Sequence, residues 1–227
     1  MARQALSSTR RGYDLLAPKF DATPFRTPEE LLRQVAERLG DPGSVRRALD
    51  LCCGTGAAFP YLLPLCSRGL AGVDFSLGML AEARRKLRAR PSCGPPVLLL
   101  QQDVLDLGVA GGFQLATCFG ALGHVRRRDQ PTFFRAVRSA LDPGGRFALV
   151  TAPLPPPWSP RLWLAAAFDA GMWLRNRLWR PPFVMYYLAL PLARARRLLQ
   201  EAGFAVEELP LATPFQRARL LLARRPS

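Results

Sequence analysis

A chain of 227 residues, 49% of them hydrophobic, is long enough for one α/β domain with a full core and too apolar for a disordered chain. Its formal net charge of +15 comes from 32 basic against 17 acidic residues, and all of the basic ones except Lys19 and Lys86 are arginine. Such a field suits nucleic acid, anionic membrane or acidic substrates, but the arginines are spread along the chain and single out none of them. The first twenty residues lack an uninterrupted apolar core, and no stretch reaches the ~18 apolar residues of a spanning helix, which predicts a cytoplasmic protein. Cys52, Cys53, Cys66, Cys93 and Cys118 are odd in number and lack paired metal spacing. They predict reduced, mostly buried thiols and no metal site.

Residues 1–44 read as an N-terminal helical cap: a segment containing Tyr13, a proline-rich turn, then a helix from Pro28 to Leu39. Thr27-Pro28-Glu29-Glu30 starts that helix, with Thr27 as N-cap, proline at the first position and acids in the first turn. Strands then fit 46–52, 69–74, 97–102, 113–119 and 145–151, and helices fit 57–66, 76–90 and 129–141. The alternation predicts a doubly wound, mostly parallel Rossmann-like sheet of about seven strands with helices on both faces. After residue 151 the rhythm breaks. Residues 153–190 are punctuated by proline and hold Trp158, Trp163, Trp173 and Trp179, beside Tyr186, Tyr187, Arg161, Arg175, Arg177 and Arg180. Regular structure resumes with a helix at 192–202 and strands at 204–209 and 217–224. The whole chain, 1–227, therefore reads as one domain: cap 1–44, core 45–152, insertion 153–190 and a C-terminal helix with two strands, 191–227.

The stretch "RRALDLCCGTGAAF" locates the chemistry. A buried strand runs straight into Gly54 and Gly56, which let a ligand touch the main chain, and a helix-compatible stretch follows. This arrangement suits a nucleotide-type cofactor, with Asp74 at the end of the next strand placed to accept both hydroxyls of a ribose. A dinucleotide fingerprint would have a third glycine where Phe59 stands, which disfavours a pyrophosphate ligand.

At these residues the sequence resembles the class I S-adenosylmethionine-dependent methyltransferases. "LDLCCGTG" resembles their first motif, with Cys52 standing for its first glycine. "GVDFSLGML" resembles the acidic-loop motif, "QQDVLDL" the adenine-side motif and "LDPGGRFAL" the turn into the fifth strand. "CCGTG" with "DFSLGML" is similar to the ubiquinone/menaquinone-biosynthesis branch. The resemblance implies S-adenosylmethionine as cofactor. It implies Asp50 facing the ammonium, Gly54 and Gly56 giving backbone approach, and Asp74 on the ribose. Phe75 and Met79 would offer apolar surface to the adenine, Asp103 and the Val104 amide its polar edge, and Phe119 and Gly120 would lie near the reactive methyl. Alternative roles are a solvated strand-end acid for Asp50, a cap for Asp103 and plain core for Met79.

Methyl transfer to a protonated nucleophile needs a base, and His124, the only histidine, follows the fourth strand where the active site opens. Asp106 and Asp129 are weaker choices. "CFGALG" after that strand offers apolar and backbone groups rather than the polar motif that grips a base amine, so a small lipophilic acceptor fits better than nucleic acid. The insertion has three readings: an interfacial helix on anionic membrane, a lid that excludes water, or core packing. An RNA or other nucleic-acid methyltransferase and a catalytically silent cofactor-binding scaffold are the rival functions.

Overall fold

The computed structural model describes residues 7–90, 94–212 and 217–227. Cys93, and the first six residues of the N-terminus, lie outside that set. In chain order the elements are α1 (Thr9–Leu16), α2 (Glu29–Leu39), β1 (Val45–Leu51), α3 (Phe59–Leu62), β2 (Cys66–Asp74), α4 (Leu77–Arg88) and β3 (Val97–Gln101). They continue with β4 (Phe113–Cys118), α5 (Gln130–Ala140), β5 (Leu141–Thr151), α6 (Pro160–Leu178), α7 (Leu192–Glu201), β6 (Ala205–Pro210) and β7 (Arg219–Arg224).

The seven strands form one sheet in the order β3-β2-β1-β4-β5-β7-β6. β1 to β5 run parallel, and β7 inserts antiparallel between β5 and β6. The strand order reverses between β1 and β4. Connections from their carboxyl ends diverge to opposite faces there and leave a crevice, the usual ligand position in such sheets.

Each face carries its own core. One packs Phe133, Phe134, Val137, Leu198 and Leu199 of α5 and α7 against Leu49, Leu51, Phe147 and Leu149. Rings of Phe133, Phe134 and Phe147 meet edge-on with centroids 5.2–6.3 Å apart, each pair adding about 0.5–1.5 kcal/mol beyond area burial. The other face packs Leu32, Val35, Phe59, Leu62 and Leu80 of α2, α3 and α4 against Ala48, Leu70, Leu115 and Leu220. The described cysteines are unpaired thiols, with Cys53, Cys66 and Cys118 buried and Cys52 partly so.

Three expected elements differ. The helix expected over 57–66 shrinks to the four residues of α3 and a 3-10 turn, Leu63–Leu65, and β2 begins at Cys66. Pro64 has no N–H to continue the α-helical ladder, so the chain tightens and leaves it. In α2 the cap position belongs to Pro28, extended at ψ 137° and without a side-chain cap bond, and Thr27 lies against Gly120 instead. Core packing fails as an account of the insertion's helix, since no residue of α6 is buried. Val184, Ala189 and Leu190, after that helix, are buried. No helix among the described residues is long and apolar enough to cross a membrane.

Candidate functional site

The crevice floor is the turn between β1 and α3. Gly54 and Gly56 take φ of 54° and 76°, and Cys52 also sits in the left-handed region at 54°. A non-glycine residue there costs about 1–2 kcal/mol, so the backbone still has the shape a glycine would choose. Space opens above Gly54, where an added Cβ would meet nothing within 4 Å. Gly56 is different: a Cβ there would lie 2.7 Å from the Phe59 ring, and one on Gly72 in β2 would lie 2.6 Å from it. Phe59 therefore fills, from below, the room that two glycines leave, and presses the turn onto the sheet.

Two carboxylates edge this turn. Asp74 ends β2, and each of its oxygens accepts one backbone N–H at 2.9 Å, from Gly54 to Oδ2 and from Ser76 to Oδ1. Each oxygen keeps a further lone pair for a hydroxyl. Burial raises its pKa above the usual carboxylate range, opposed by the amides of Ser76 and Gly54. Asp50, only 2% exposed, accepts from Thr117 Oγ1 at 2.6 Å across the β1–β4 pair. Burial lifts its pKa to about 7 despite the Thr117 hydroxyl, with Asp74 adding to the rise. A solvated strand-end acid is thereby excluded for Asp50.

The N-terminal cap closes over the crevice through polar contacts. Asp14 Oδ1 accepts from Ser76 Oγ at 2.6 Å and from the Gly78 amide at 3.0 Å. Gly78 is required there, because a Cβ would stand 2.9 Å from the Asp14 backbone. Asp21 accepts from Thr55 Oγ1 at 2.7 Å and pairs with Lys86. Tyr13 reaches across to the loop after β4, its hydroxyl 2.7 Å from His124 Nε2. The other imidazole nitrogen, Nδ1, lies 2.6 Å from the Val184 carbonyl, which can only accept. Nδ1 therefore carries the proton and Tyr13 donates to Nε2. Burial holds His124 below its ordinary pKa and pushes the Tyr13 phenol well up. Around this pair stand Phe20, Phe75 and Phe183, with ring centroids 6.1–6.4 Å from that of Tyr13.

Of the remaining sequence-selected residues, Phe75 is half-buried beside Asp74 and Met79 is buried in the first turn of α4. Asp103 is exposed and its Oδ1 accepts the Leu105 amide at 2.9 Å in a turn that no helix follows, so it is not the helix cap of the alternative reading, while Val104 is buried in the α5-side core. Phe119 leans into the core on the α2 side, and Gly120 has φ 73° with Thr27 beside it. Asp106 is exposed and Asp129 pairs with Arg128 at 3.5 Å, so neither reaches the Tyr13–His124 pair. Sequence reasoning missed Asp14, Asp21, Thr117 and the Val184 carbonyl, and gave Tyr13 no role. The one available signal was the placing of Asp14 and Asp21, the first acids of an arginine-rich chain, around Tyr13 and Phe20.

The methyltransferase domain family matches residues 48–145, the span from β1 through the turn in β5. Residues 48–145 are a class I methyltransferase domain. The demethylmenaquinone methyltransferase of Thermus thermophilus is 36% identical over 116 residues, 49% of each chain, so this chain spans about half the length of that relative in the match. Among solved structures, the magnesium protoporphyrin IX methyltransferase of Synechocystis, with SAM bound, aligns with a TM-score of 0.65 at 20% identity over 97% of this chain and 98% of its own. An O-methyltransferase-like protein of Nostoc punctiforme aligns at 0.69 and 17% identity, over 97% and 62%. At these identities the structures establish the fold alone.

Proposed function

We propose that this chain transfers a methyl group from S-adenosylmethionine to a small lipophilic acceptor drawn from a membrane surface. The observation that carries the reading is one crevice holding Asp74, open space over Gly54, and an aromatic enclosure of Tyr13, Phe20, Phe75 and Phe183. The residues present fit the cofactor. Asp74 has one lone pair per oxygen that would take a ribose diol, Gly54 lacks the side chain that would block it, and the buried Asp50 would face the cofactor's ammonium. When bound, the cofactor supplies an electrophilic methyl on a positive sulfonium, whose departure needs no acid.

The protein's own part is alignment, exclusion of water and removal of a proton. The cap and the 181–190 segment cover the Tyr13–His124 side of the crevice. Neutral His124, held by Val184, is the base, and Tyr13 stands between it and the crevice. A proton leaving the acceptor passes to the Tyr13 oxygen as the Tyr13 hydroxyl proton moves to Nε2. The aromatic enclosure suits a flat, apolar acceptor, and the names of the two relatives, a demethylmenaquinone and a magnesium protoporphyrin IX methyltransferase, fit that class.

Calorimetry with S-adenosylhomocysteine tests the cofactor site. Asp74→Ala removes a charged acceptor of two hydroxyls and weakens binding about 100-fold, at about 1.5 kcal/mol for each charged hydrogen bond. Unchanged affinity removes the assignment. Tighter binding of NADH than of S-adenosylhomocysteine restores a dinucleotide site.

A further inference from the structure

The longest helix of the described residues, α6, is the one that buries nothing. Its two sides differ sharply. Toward the protein, Asp169 accepts the Tyr187 and Leu188 amides at 2.7 and 3.0 Å. Asn176 brackets Phe183, donating to its carbonyl and accepting its amide, and Arg175 donates to the Pro181 carbonyl at 2.7 Å. These bonds clip α6 to the 181–190 segment, whose Val184 holds His124. The helix thus rides on the cover of the crevice.

Toward the outside, Leu164, Ala167, Gly171, Leu174 and Leu178 recur at the spacing of one helical face, and no charge interrupts them. Leu164 is 75% exposed, Leu178 72% and Leu174 50%. A Cβ on Gly171 would meet nothing within 4 Å. Trp158, Trp163, Trp173 and Trp179, all four tryptophans of the chain, lie in or beside α6, and each is at least 55% exposed. Arg161, Arg177 and Arg180 are exposed around it, and the single acid of residues 153–190, Asp169, faces inward. An uncharged apolar stripe of this length is not what a water-facing helix carries.

We infer that α6 lies in the interface of an anionic bilayer, its Leu164–Leu178 face in the acyl boundary, its tryptophans among the headgroups and its arginines on lipid phosphates. Charge selects this occupant. Two copies docked through this face would set Arg177 and Arg180 against their own kind, with no outward acid in the segment to offset them. A bilayer supplies both the negative charge and the amphipathic zone that tryptophan prefers. With Asp169 and three arginines, α6 is fit to lie on the bilayer and not to cross it. Its clip to residues 181–190 then sets the crevice cover at the membrane. The inference rests on the proposed function only for what the bilayer delivers, a lipophilic acceptor.

The test uses the full chain and vesicles of phosphatidylcholine with or without phosphatidylglycerol. Tryptophan emission reads residues 158–179 alone, because all four tryptophans lie there. Anionic vesicles shift that emission to the blue, and binding weakens but survives at high salt, since apolar burial is not screened. The double substitution Leu164→Glu, Leu174→Glu weakens binding by at least about tenfold and abolishes the blue shift, because two buried apolar side chains become charged. Arg177→Gln with Arg180→Gln removes most of the preference for anionic over neutral vesicles. Binding of S-adenosylhomocysteine is measured in parallel and stays unchanged in both variants. Absence of vesicle binding, equal binding by the glutamate variant, or a self-association that the glutamate substitutions abolish overturns the inference. So does tight, steeply salt-sensitive RNA binding without vesicle binding. Failure of wild-type protein to bind S-adenosylhomocysteine overturns the proposed function instead and leaves the vesicle result standing.

Discussion

Substituting Asp50 by asparagine tests the electrostatics of the crevice floor. Burial raises the Asp50 carboxyl from 3.8 to about 7, against the hydrogen bond from Thr117. A carboxyl with a raised folded pKa favours the fold while protonated. Its contribution is fully present below 3.8 and is lost as pH rises through about 7. A gap of about three units corresponds to about 4 kcal/mol in all, of which about 2–3 kcal/mol falls between pH 5 and pH 8. Asparagine keeps an acceptor for Thr117 and cannot ionise. Urea unfolding of both proteins, without added cofactor, at these two pH values isolates the residue together with its coupling to Asp74, because titrating groups far from it cancel in the difference. The variant gains on the wild type by about 2–3 kcal/mol from pH 5 to pH 8. An ammonium beside Asp50 reverses the sign of the burial effect by favouring the anion, so S-adenosylhomocysteine releases a proton on binding near pH 6 to the wild type and not to the variant. Calorimetry in buffers of different ionisation enthalpy counts that proton. Parallel pH dependences of the two proteins refute the buried, part-neutral carboxyl, and equal proton release refutes its place beside the ammonium.

Gly72→Ala forces a Cβ to within 2.6 Å of Phe59 and 3.0 Å of Cys53, and overpacking of this kind costs about 1–3 kcal/mol in urea unfolding. Trimming Phe59 to leucine in the same chain recovers part of the loss, and a Gly72→Ala protein as stable as wild type contradicts the packing. Tyr13→Phe and His124→Gln lower turnover by about 10²-fold or more while S-adenosylhomocysteine affinity holds, if both move the acceptor's proton. Because His124 is held below its ordinary pKa of 6.5, wild-type rates stay level as pH falls toward 6.5 and decline only below it, and that decline disappears in His124→Gln. The same depressed pKa places its stability contribution above 6.5, lost as the pH falls through the folded value, so a pH-independent difference in stability between His124→Gln and wild type opposes the assignment.

The sheet was legible because its causes are local. Apolar runs of strand length, set off by Gly54, Gly56 and Pro143-Gly144-Gly145, leave few alternatives to a parallel α/β order, and the motifs place Asp50 and Asp74 on adjacent strand ends. The Pro64 break is also written in the chain, inside an apolar stretch that otherwise suits a helix. What tertiary structure alone decided is everything that closes the crevice. Tyr13 and His124 are 111 residues apart, Asp14 and Ser76 are 62 apart, and His124 meets a carbonyl 60 residues on. No periodicity records such pairings, because each hydrogen bond is satisfied by a group from another element. The insertion is the sharpest case. Tryptophan, leucine and arginine at helical spacing describe a core helix, a lid and a membrane-surface helix equally well, since hydrophobic patterning fixes which side chains share a face and not what that face meets. Only the folded chain shows that the polar side of α6 is bonded to the crevice cover, which leaves its apolar side turned outward.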